Sequence, residues 1–347
     1  MIRIAIVGTG GMGNSHADIF SKIKGCKIVA GCDINEARVQ AFCTKHSIPD
    51  FYSDFELMLE KSRIDAVVNV TPDQFHAPLS IRAIQAGKHV LCEKPLALNY
   101  AEAMTMVRAA KKKGVINMVN FSYRNAPALH RAHQLVASGR LGDIVHVDAS
   151  YLQSWLTSKA WGAWRDNPAL VWRLSTKHGS MGVLGDVGIH LVDFVTFAVG
   201  DMKSVNAQLK TFQGLKGKKH GVYTLDANDT ALMQVEFKSG ALGMLHTTRW
   251  ATGHINSIEL LVCGTKGALR INLDQGWDRL GLSLGKDIDT GKWVEVSCPP
   301  VPRIAERFIK AIRTGVNDQP DFQRGADVQK VLDTCFLSNA SGKRTKI

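Results

Sequence analysis

A lysine in the first half of the chain sits where it could do acid–base chemistry. Glu93-Lys94-Pro95 directly follows the apolar run Val90-Leu-Cys92, which reads as a buried strand. A lysine acts as an acid or base near neutral pH only where burial or a nearby positive charge lowers its pKa. The alternative interpretation is a solvent-exposed Lys–Glu pair before a turn, and the residues themselves leave both open.

A second candidate lies in the run Gly185-Asp-Val-Gly-Ile-His-Leu-Val-Asp-Phe194. Asp186 and His190 are four residues apart, so a helix places them on one face, where the carboxylate can orient the imidazole and stabilise its protonated form. Asp193 continues that face at the next turn. The remaining positions are apolar nearly all round, which predicts a buried helix whose polar residues need partners or a cavity. The alternative makes Asp186 a helix N-cap and His190 a core histidine with its hydrogen bonds satisfied.

The third feature is a glycine-rich turn after the first predicted strand, with the sequence Gly8-Thr9-Gly10-Gly11-Met12-Gly13. Gly8 permits a tight turn, Gly10 lets the backbone approach a diphosphate, and Gly13 lets the next helix pack against the strand. The free N–H groups at the start of that helix suit an anion. Asp33 ends the next apolar run 20 residues beyond Gly13, where a carboxylate can hold both ribose hydroxyls of NAD and repel the 2′-phosphate of NADP. These residues predict an NAD site.

Two further segments could line a ligand. Thr71-Pro72-Asp-Gln-Phe-His76 follows a predicted strand, and ligands of open parallel sheets bind beyond the carboxyl ends of strands. The alternative is a strand exit in which proline sets the turn. Trp164-Arg165 and Trp172-Arg173 repeat eight residues apart; tryptophan faces suit sugar rings and arginine suits hydroxyls or phosphate, although both tryptophans could equally be core anchors.

The elements that would position these residues alternate in the first half of the chain. Near-continuous apolar strands separated by helices indicate a parallel sheet covered on both faces, that is, an α/β Rossmann domain with a doubly wound sheet over residues 1–124. The predicted strands are 2–7, 27–32, 65–70, 88–92 and 115–119, and the predicted helices are 11–23, 35–46, 54–61, 75–86 and 99–113.

The second half, residues 125–347, follows a different pattern and predicts an α+β domain. Consecutive strands without intervening helices indicate a large, mostly antiparallel sheet. Helices at 127–138 and 185–198 would cover one face and leave the other open as a subunit contact. The predicted strands are 144–153, 203–213, 229–237, 241–250, 257–263, 267–273, 279–284 and 292–296, and two helices, 302–313 and 324–341, close the chain.

Composition excludes several classes of protein. The chain has 347 residues and 45% hydrophobic content, which fits two globular domains. No apolar run approaches the roughly 20 residues that span a bilayer, and the first strand leaves no room for a secretory segment, so we expect a cytoplasmic protein without a membrane partner. The seven cysteines form no C-x-x-C pair and no Cys/His cluster has ligand spacing, so we expect no disulfide framework and no metal.

The net charge of +12 raises the possibility of nucleic-acid binding. The basic residues are dispersed or in short runs, without the interleaved aromatic residues of a single-strand groove and without a zinc-finger or basic-zipper pattern. We therefore expect no nucleic-acid partner. A positive electrostatic field would still favour binding of an anionic cofactor, and it leaves an anionic substrate open as a further option.

Taken in order, these motifs resemble the glucose–fructose oxidoreductase/inositol dehydrogenase family (Gfo/Idh/MocA) over essentially the whole chain. The resemblance rests on the Gly8–Gly13 turn, the Thr71–His76 loop, Glu93-Lys94-Pro95, and the Asp186…His190 spacing. It implies a cis Lys94–Pro95 peptide bond and a homodimer or homotetramer formed through the open-faced C-terminal sheet. Within the family, the chain resembles the sugar and inositol dehydrogenases more, because it has His190 and because the residue after Asp33 is not basic.

The resemblance also assigns residues to roles. It implies Lys94, Asp186 and His190 as the catalytic residues, and matches Asn120-Phe-Ser-Tyr-Arg124 to a segment that lines nicotinamide and substrate. The cofactor-binding set is Gly8, Thr9, Gly10, Gly11, Met12, Gly13, Asp33, Thr71, Pro72, His76, Glu93, Lys94 and Asn120. The substrate-binding set is Lys94, Tyr123, Arg124, Trp164, Trp172, Arg173, Asp186 and His190.

The expected reaction is reversible oxidation of a secondary ring alcohol of a sugar or polyol by NAD. His190 is the expected general base, because the unperturbed histidine pKa of about 6.5 is near working pH. Asp186 would orient it, and Lys94 would stabilise alkoxide-like charge on the reacting oxygen. The alternatives are a reductase acting on a non-sugar carbonyl or imine, a dihydrodiol-type dehydrogenase, and a non-catalytic NAD-sensing regulator; fold alone does not decide between them.

Overall fold

The computed structural model describes residues 1–179, 181–212 and 215–347, which form two compact units. The first unit contains Met1–Ser122 and Pro302–Gln329, and the second contains Tyr123–Val301 and Lys330–Ile347. These units differ from the predicted domains 1–124 and 125–347 in one main respect: the segment 302–329 packs with the N-terminal unit. A sequence pattern shows where a helix forms, but it does not show to which sheet the helix returns.

The first unit is built on a six-stranded parallel sheet in the order β3-β2-β1-β4-β5-β6, which confirms the predicted Rossmann domain. Its strands are β1 (Ile2–Val7), β2 (Cys26–Cys32), β3 (Asp50–Tyr52), β4 (Ala66–Asn69), β5 (His89–Cys92) and β6 (Asn117–Val119). Its helices are α1 (Gly11–Phe20), α2 (Glu36–Lys45), α3 (Phe55–Lys61), α4 (His76–Gln85) and α5 (Tyr100–Lys113), with α10 (Ile304–Thr314) added from the end of the chain.

The register of this sheet brings the candidate loops to one edge. Val7 at the end of β1 pairs with Cys32 of β2 and with Asn69 of β4. Asn69 in turn pairs with Cys92 of β5, and Cys92 pairs with Val119 of β6. Because these five strands end level, the loops that follow them all start at the same edge of the sheet.

Local signals in the sequence fix the helix ends of this unit. Asn35, Asp54 and Asn99 cap α2, α3 and α5 by accepting a hydrogen bond from the backbone N–H three residues later. Gly114 ends α5 with φ +65°, a left-handed conformation that favours glycine. The strand β3 was not predicted, because it is three residues long and carries no apolar run.

The second unit is built on a nine-stranded sheet in the order β16-β15-β14-β13-β7-β12-β11-β8-β17, with one parallel pair, β7 with β12, among antiparallel neighbours. This confirms the predicted mostly antiparallel sheet. Its strands are β7 (Ile144–Gln153), β8 (Met202–Lys210), β11 (Thr230–Phe237), β12 (Leu242–Thr248), β13 (Asn256–Gly264), β14 (Gly267–Asn272), β15 (Arg279–Leu284), β16 (Val294–Ser297) and β17 (Thr345–Lys346).

Helices α6 (Pro127–Ala137) and α8 (Ile189–Val199) pack on strands of this sheet. The unit also contains two short helices, α7 (Pro168–Val171) and α9 (Asp287–Thr290), and a separate hairpin formed by β9 (Lys218–His220) and β10 (Tyr223–Leu225). Helix α11 (Phe322–Ser341) contributes residues to both units. The predicted strand 203–213 corresponds to β8, and its last position, residue 213, lies outside the described residues. No helix within the described ranges is both long enough and apolar enough to cross a membrane.

The core of the second unit centres on α8, which packs on α6 and on β7 and β13. Leu191, Val192, Phe194 and Val195 are all fully buried, so this helix is enclosed as its apolar composition predicted. A π-helical turn at Leu184–Gly188 precedes it and carries Asp186. Such turns concentrate at functional sites.

Candidate active site

The glycine-rich turn of the first unit has the shape that a dinucleotide requires. Gly8 has φ +92°, and a Cβ there would lie 2.6 Å from the carbonyl oxygen of Val70. A Cβ on Gly13 would overlap the carbonyl oxygen of Gly8, whereas a Cβ on Gly10 would meet nothing within 4 Å. Helix α1 starts at Gly11 without a side-chain cap from the described residues. Two glycines therefore serve the fold, the third borders open space, and the helix N–H groups beside it suit a diphosphate.

Asp33 is buried at the end of β2 and is held as a carboxylate. Its oxygens accept hydrogen bonds from the Thr9 backbone and hydroxyl at 2.9 and 3.1 Å and from the Asn35 backbone at 3.0 Å. Arg38 adds a bidentate contact at 3.0 and 2.6 Å. Burial opposes ionisation, but the hydrogen bonds from Arg38, Asn35 and Thr9 outweigh it and lower the pKa of Asp33. A carboxylate at this position fits a ribose diol, so the residues present fit NAD.

Glu93 is the centre of a buried polar cluster at the end of β5. One carboxylate oxygen lies 2.7 Å from His16 Nε2 and accepts a hydrogen bond from the Asn120 amide at 2.7 Å. The other accepts from the backbone N–H of Lys94 at 3.2 Å. Burial raises the pKa of Glu93, but the contacts with His16, Asn120 and Lys94 prevail and bring it to about 2. Glu93 is therefore ionised, and it ties α1 and the segment after β6 to the loop that carries Lys94.

His16 was not predicted from the sequence. It lies three residues after Gly13 on the buried side of α1, together with Ala17 and Phe20. Its Nδ1 is buried and has no hydrogen-bond partner among the residues described. The spacing from the glycine turn was the available signal, since a polar residue on the inner face of that helix must find a partner at the sheet edge.

His76 is enclosed between the two loops that follow β4 and β5. Its Nδ1 lies 2.6 Å from the carbonyl oxygen of Pro95, and its Nε2 lies 2.7 Å from that of Thr71. The side chain of Asn69 holds the same turn, accepting from the Thr71 hydroxyl at 2.7 Å. Both ring nitrogens of His76 are thus committed within the protein, which differs from the predicted contact with the cofactor. Pro72, beside it, is exposed.

Lys94 is half-buried at the same edge, immediately after the Glu93 cluster. The Lys94–Pro95 peptide bond is cis, as the resemblance implied. Asn120, half-buried after β6, contacts Glu93. The structure therefore gathers the glycine turn, Glu93, Lys94 and Asn120 along one edge of one sheet.

In the second unit, Asp186 is fixed by two arginines. Its Oδ2 accepts from Arg249 Nη2 at 2.8 Å and lies 3.2 Å from Arg173 Nε. Arg249 is completely buried and also donates to the Arg173 carbonyl at 3.0 Å. Burial lowers the pKa of Arg249, against the opposing effect of Asp186. Asp186 is not the cap of its helix, since Val183 holds that position.

His190 is buried at the start of α8 against the edge of an aromatic ring. Its ring centroid lies 5.0 Å from that of Tyr123, nearly perpendicular to it. Tyr123 belongs to a hydrogen-bonded triangle: its hydroxyl is 2.6 Å from that of Tyr151, Tyr151 donates to the Asn256 side-chain oxygen at 2.8 Å, and the Asn256 amide donates to Tyr123 at 3.0 Å. Burial raises the pKa of Tyr151 well above its usual value. The triangle fixes the ring that borders His190.

Two residues from the predicted substrate set make buried contacts within the second unit. Arg124 is buried and forms a bidentate pair with Asp193 at 2.8 and 2.6 Å, with its guanidinium 4.3 Å from the centre of the Phe197 ring. Trp164 is 6% exposed and belongs to an apolar cluster with Trp155. Both side chains thus have partners within the protein, and their contact with substrate stays a prediction.

The other tryptophan of the predicted set remains accessible. Trp172 is half-buried, and the guanidinium of Arg173 lies 4.5 Å from the centre of its ring. Arg173 in turn contacts Asp186. Within the described ranges, no group of three or more His, Cys, Asp or Glu residues is arranged to hold a metal ion.

Comparison with known proteins gives the same assignment for both units. Residues 2–121 match the model of an oxidoreductase family with an NAD-binding Rossmann fold, and residues 129–270 match that of the GFO/IDH/MocA C-terminal domain. Levoglucosan dehydrogenase from Pseudarthrobacter phenanthrenivorans is 27% identical over 98% of this chain and 96% of its own length. Myo-inositol 2-dehydrogenase from Thermotoga maritima is 30% identical over 77% of this chain and 74% of its own length.

The fold also has solved counterparts. The structure of a levoglucosan dehydrogenase in complex with NADH and levoglucosan matches with a TM-score of 0.90 and 26% sequence identity, covering 100% of this chain and 99% of that one.

Proposed function

The chain belongs to the Gfo/Idh/MocA family of NAD-binding oxidoreductases, and from this premise we propose that it oxidises a secondary ring hydroxyl of a sugar, sugar derivative or inositol to a ketone. The observation that carries the proposal is the Asp186 carboxylate, pinned by the buried Arg249, in the same segment as His190. A regulator that only senses NAD has no need for this arrangement. The names of the relatives, a levoglucosan and an inositol dehydrogenase, support a cyclic polyol as the substrate.

The N-terminal unit supplies the cofactor site. Open space beside Gly10 and the free start of α1 suit the diphosphate, and ionised Asp33 suits the ribose diol. Glu93 and Asn120 order the edge of the sheet beside Lys94. NAD, when bound, supplies the hydride acceptor.

The chain's own residues handle the proton and the charge on oxygen. We assign His190 to take the proton of the reacting hydroxyl and Asp186 to orient His190, with Arg249 and Arg173 fixing that carboxylate. We assign the Lys94 ammonium to donate a hydrogen bond to the reacting oxygen as negative charge develops there. Trp172 and Tyr123 offer ring faces or edges to the sugar.

The test is formation of NADH with a panel of polyols: levoglucosan, myo-inositol, simple glucosides and glucose 6-phosphate. With the best substrate, Lys94→Ala and His190→Ala should each lower kcat/KM by about 10²–10⁴-fold, the usual effect of a general acid–base group. Lys113→Ala, which removes an exposed lysine from the end of α5, is the matched control and should leave turnover unchanged. Losses below tenfold in both variants would reject the assigned roles. Tight NADH binding with no turnover on any polyol would favour the regulator.

We also propose that the open face of the nine-stranded sheet joins copies of this chain into a homodimer or homotetramer. Leu232, Leu242 and Met244 are 43%, 55% and 38% exposed on neighbouring strands β11 and β12. Exposed apolar patches of this kind are typical of interaction surfaces. Sedimentation should show an oligomer for the wild type and a monomer for the double variant Leu232→Glu, Met244→Glu; an unchanged mass would contradict this interface.

The cytoplasm stays the predicted compartment. All seven cysteines are free thiols, and five of them are buried. Unpaired cysteines are usual where thiols are kept reduced.

A further inference from the structure

We propose that His76 is a positioning residue: a permanently charged imidazolium that ties the loop after β4 to the loop after β5 and thereby fixes the backbone that carries Lys94. This inference rests on the proposed role of Lys94 in the reaction. It gives His76 a task different from the cofactor contact expected from the sequence.

The first support is the pair of acceptors that face the ring. Nδ1 lies 2.6 Å from the Pro95 carbonyl oxygen and Nε2 lies 2.7 Å from the Thr71 carbonyl oxygen. A carbonyl oxygen only accepts, and a neutral imidazole carries a single N–H. A neutral His76 would therefore turn a nitrogen lone pair toward a carbonyl lone pair at hydrogen-bond distance. With both nitrogens protonated, both contacts become hydrogen bonds, and their lengths fit charge-assisted ones.

The surroundings of the ring agree with a charged state. His76 is 1% exposed, and burial by itself disfavours the charge. Cys92 on β5, Asp73 in the turn before α4, and the Pro95 carbonyl act in the opposite direction and raise the pKa of His76 to about 10. These neighbours therefore favour the same doubly protonated ring as the two carbonyl contacts.

The position of the two carbonyls shows which parts of the chain the His76 hydrogen bonds hold in place. Pro95 directly follows Lys94, and Thr71 opens the predicted cofactor loop. Asn69 strengthens the same turn, since its amide donates to the His76 carbonyl at 3.1 Å while its oxygen accepts from Thr71. A catalytic group displaced by roughly 1 Å can lose about 10²-fold in rate. Loss of the two His76 hydrogen bonds should therefore affect the chemical step more than cofactor binding.

The protonation state is tested on the wild-type protein, without any substrate. In long-range ¹H–¹⁵N spectra of histidine-labelled protein, with His76→Gln used to assign the resonance, both His76 nitrogens should appear protonated at about pH 8.5, some two pH units above the ordinary histidine pKa. A neutral tautomer at that pH, or a titration midpoint near 6.5, would overturn the inference. Because the measurement uses the native protein, it decides the matter even if His76→Gln folds poorly. The inference then requires at least one of the 12 histidines to keep both nitrogens protonated at about pH 8.5, and spectra in which every histidine is neutral at that pH overturn it.

The positioning role is tested by separating kcat from cofactor affinity. His76→Gln should lower kcat about 10- to 100-fold while the Kd of NADH changes less than about threefold. The matched control is His89→Gln at the other end of β5, where the ring accepts from the Ile116 backbone at 3.0 Å and glutamine can do the same; its kcat should not change. A wild-type kcat in His76→Gln would refute the role. If the wild type turns over no polyol, the proposed function fails, whereas the imidazolium stands or falls on the spectra alone.

Discussion

Replacement of Glu93 by glutamine should destabilise the protein at neutral pH and much less in acid. Glu93 is a buried carboxylate, and one of its oxygens lies 2.7 Å from both His16 Nε2 and the Asn120 amide nitrogen. Glutamine keeps the size of the side chain but loses the charge. It therefore isolates the contribution of ionisation.

The magnitude follows from the pKa of Glu93, which lies at about 2 in the folded protein against its ordinary value of 4.5. Folding is then favoured by about 3 kcal/mol at pH 7 through this one group. The folded pKa is depressed, so the stabilisation is fully present above pH 4.5 and is lost as the pH falls toward 2. At about pH 3 roughly 1.4 kcal/mol of it remains.

Urea unfolding followed by circular dichroism measures the difference. We expect Glu93→Gln to lower the free energy of unfolding by about 3 kcal/mol at pH 7, and by roughly half of that at pH 3. Glu56→Gln serves as the control, because Glu56 forms an exposed pair with Arg82 and should matter little at either pH. A loss below about 1 kcal/mol at pH 7, or a loss that does not shrink in acid, would refute the assignment of Glu93 as a buried, compensated anion.

Three other predictions concern the glycine turn, Asp33 and the pair of Arg124 with Asp193. Gly13→Ala should lower the melting temperature, because its Cβ overlaps a backbone carbonyl. Gly10→Ala should melt like the wild type but bind NADH at least tenfold more weakly in a fluorescence titration. A stability loss in Gly10→Ala and a loss of NADH binding alone in Gly13→Ala would contradict the roles of the two glycines. NADH should bind about tenfold more tightly than NADPH, because the Asp33 carboxylate repels the 2′-phosphate. Asp33→Asn should reduce this ratio of the two dissociation constants. Equal affinities for NADH and NADPH in the wild type would argue against the role of Asp33. Arg124→Met should cost about 3–5 kcal/mol in urea unfolding because it leaves a buried carboxylate uncompensated, and replacing Asp193 by Leu as well should recover much of the loss. Two independent, additive losses would show that the pair is not coupled.

Features encoded locally were predictable from the sequence. The Gly8–Gly13 turn, Asp33 and the strands β1, β2, β4 and β5 combine a buried apolar run with a turn whose residue types fix its shape. Parallel strands that alternate with helices leave few topologies, so the pattern predicted a doubly wound sheet without fixing the order of its strands. The burial of α8 was also predictable, since nearly all its positions are apolar.

Contacts between distant residues were not predictable. Arg249 reaches Asp186 across 63 positions, and Asn256 reaches Tyr151 across 105. No spacing in the sequence links such partners, because only the folding of distant segments against one another brings them together. The same reason explains Arg124: a residue type suited to binding sugar hydroxyls is equally suited to a buried ion pair, and the choice depends on which way the side chain faces.

Very short strands were missed for a third reason. β3 and the β9–β10 hairpin have three residues each per strand and no buried apolar run, so they depend on neighbouring strands instead of their own composition.

The proposed function requires Lys94 and His190 to act jointly in the chemical step. A double-mutant cycle on kcat/KM with the best polyol substrate tests it most directly, since residues that act as a unit show strongly non-additive losses. We predict that the double variant Lys94→Ala, His190→Ala loses about as much activity as the more damaging single variant. Losses that multiply would mean that the two side chains act independently and would contradict the account.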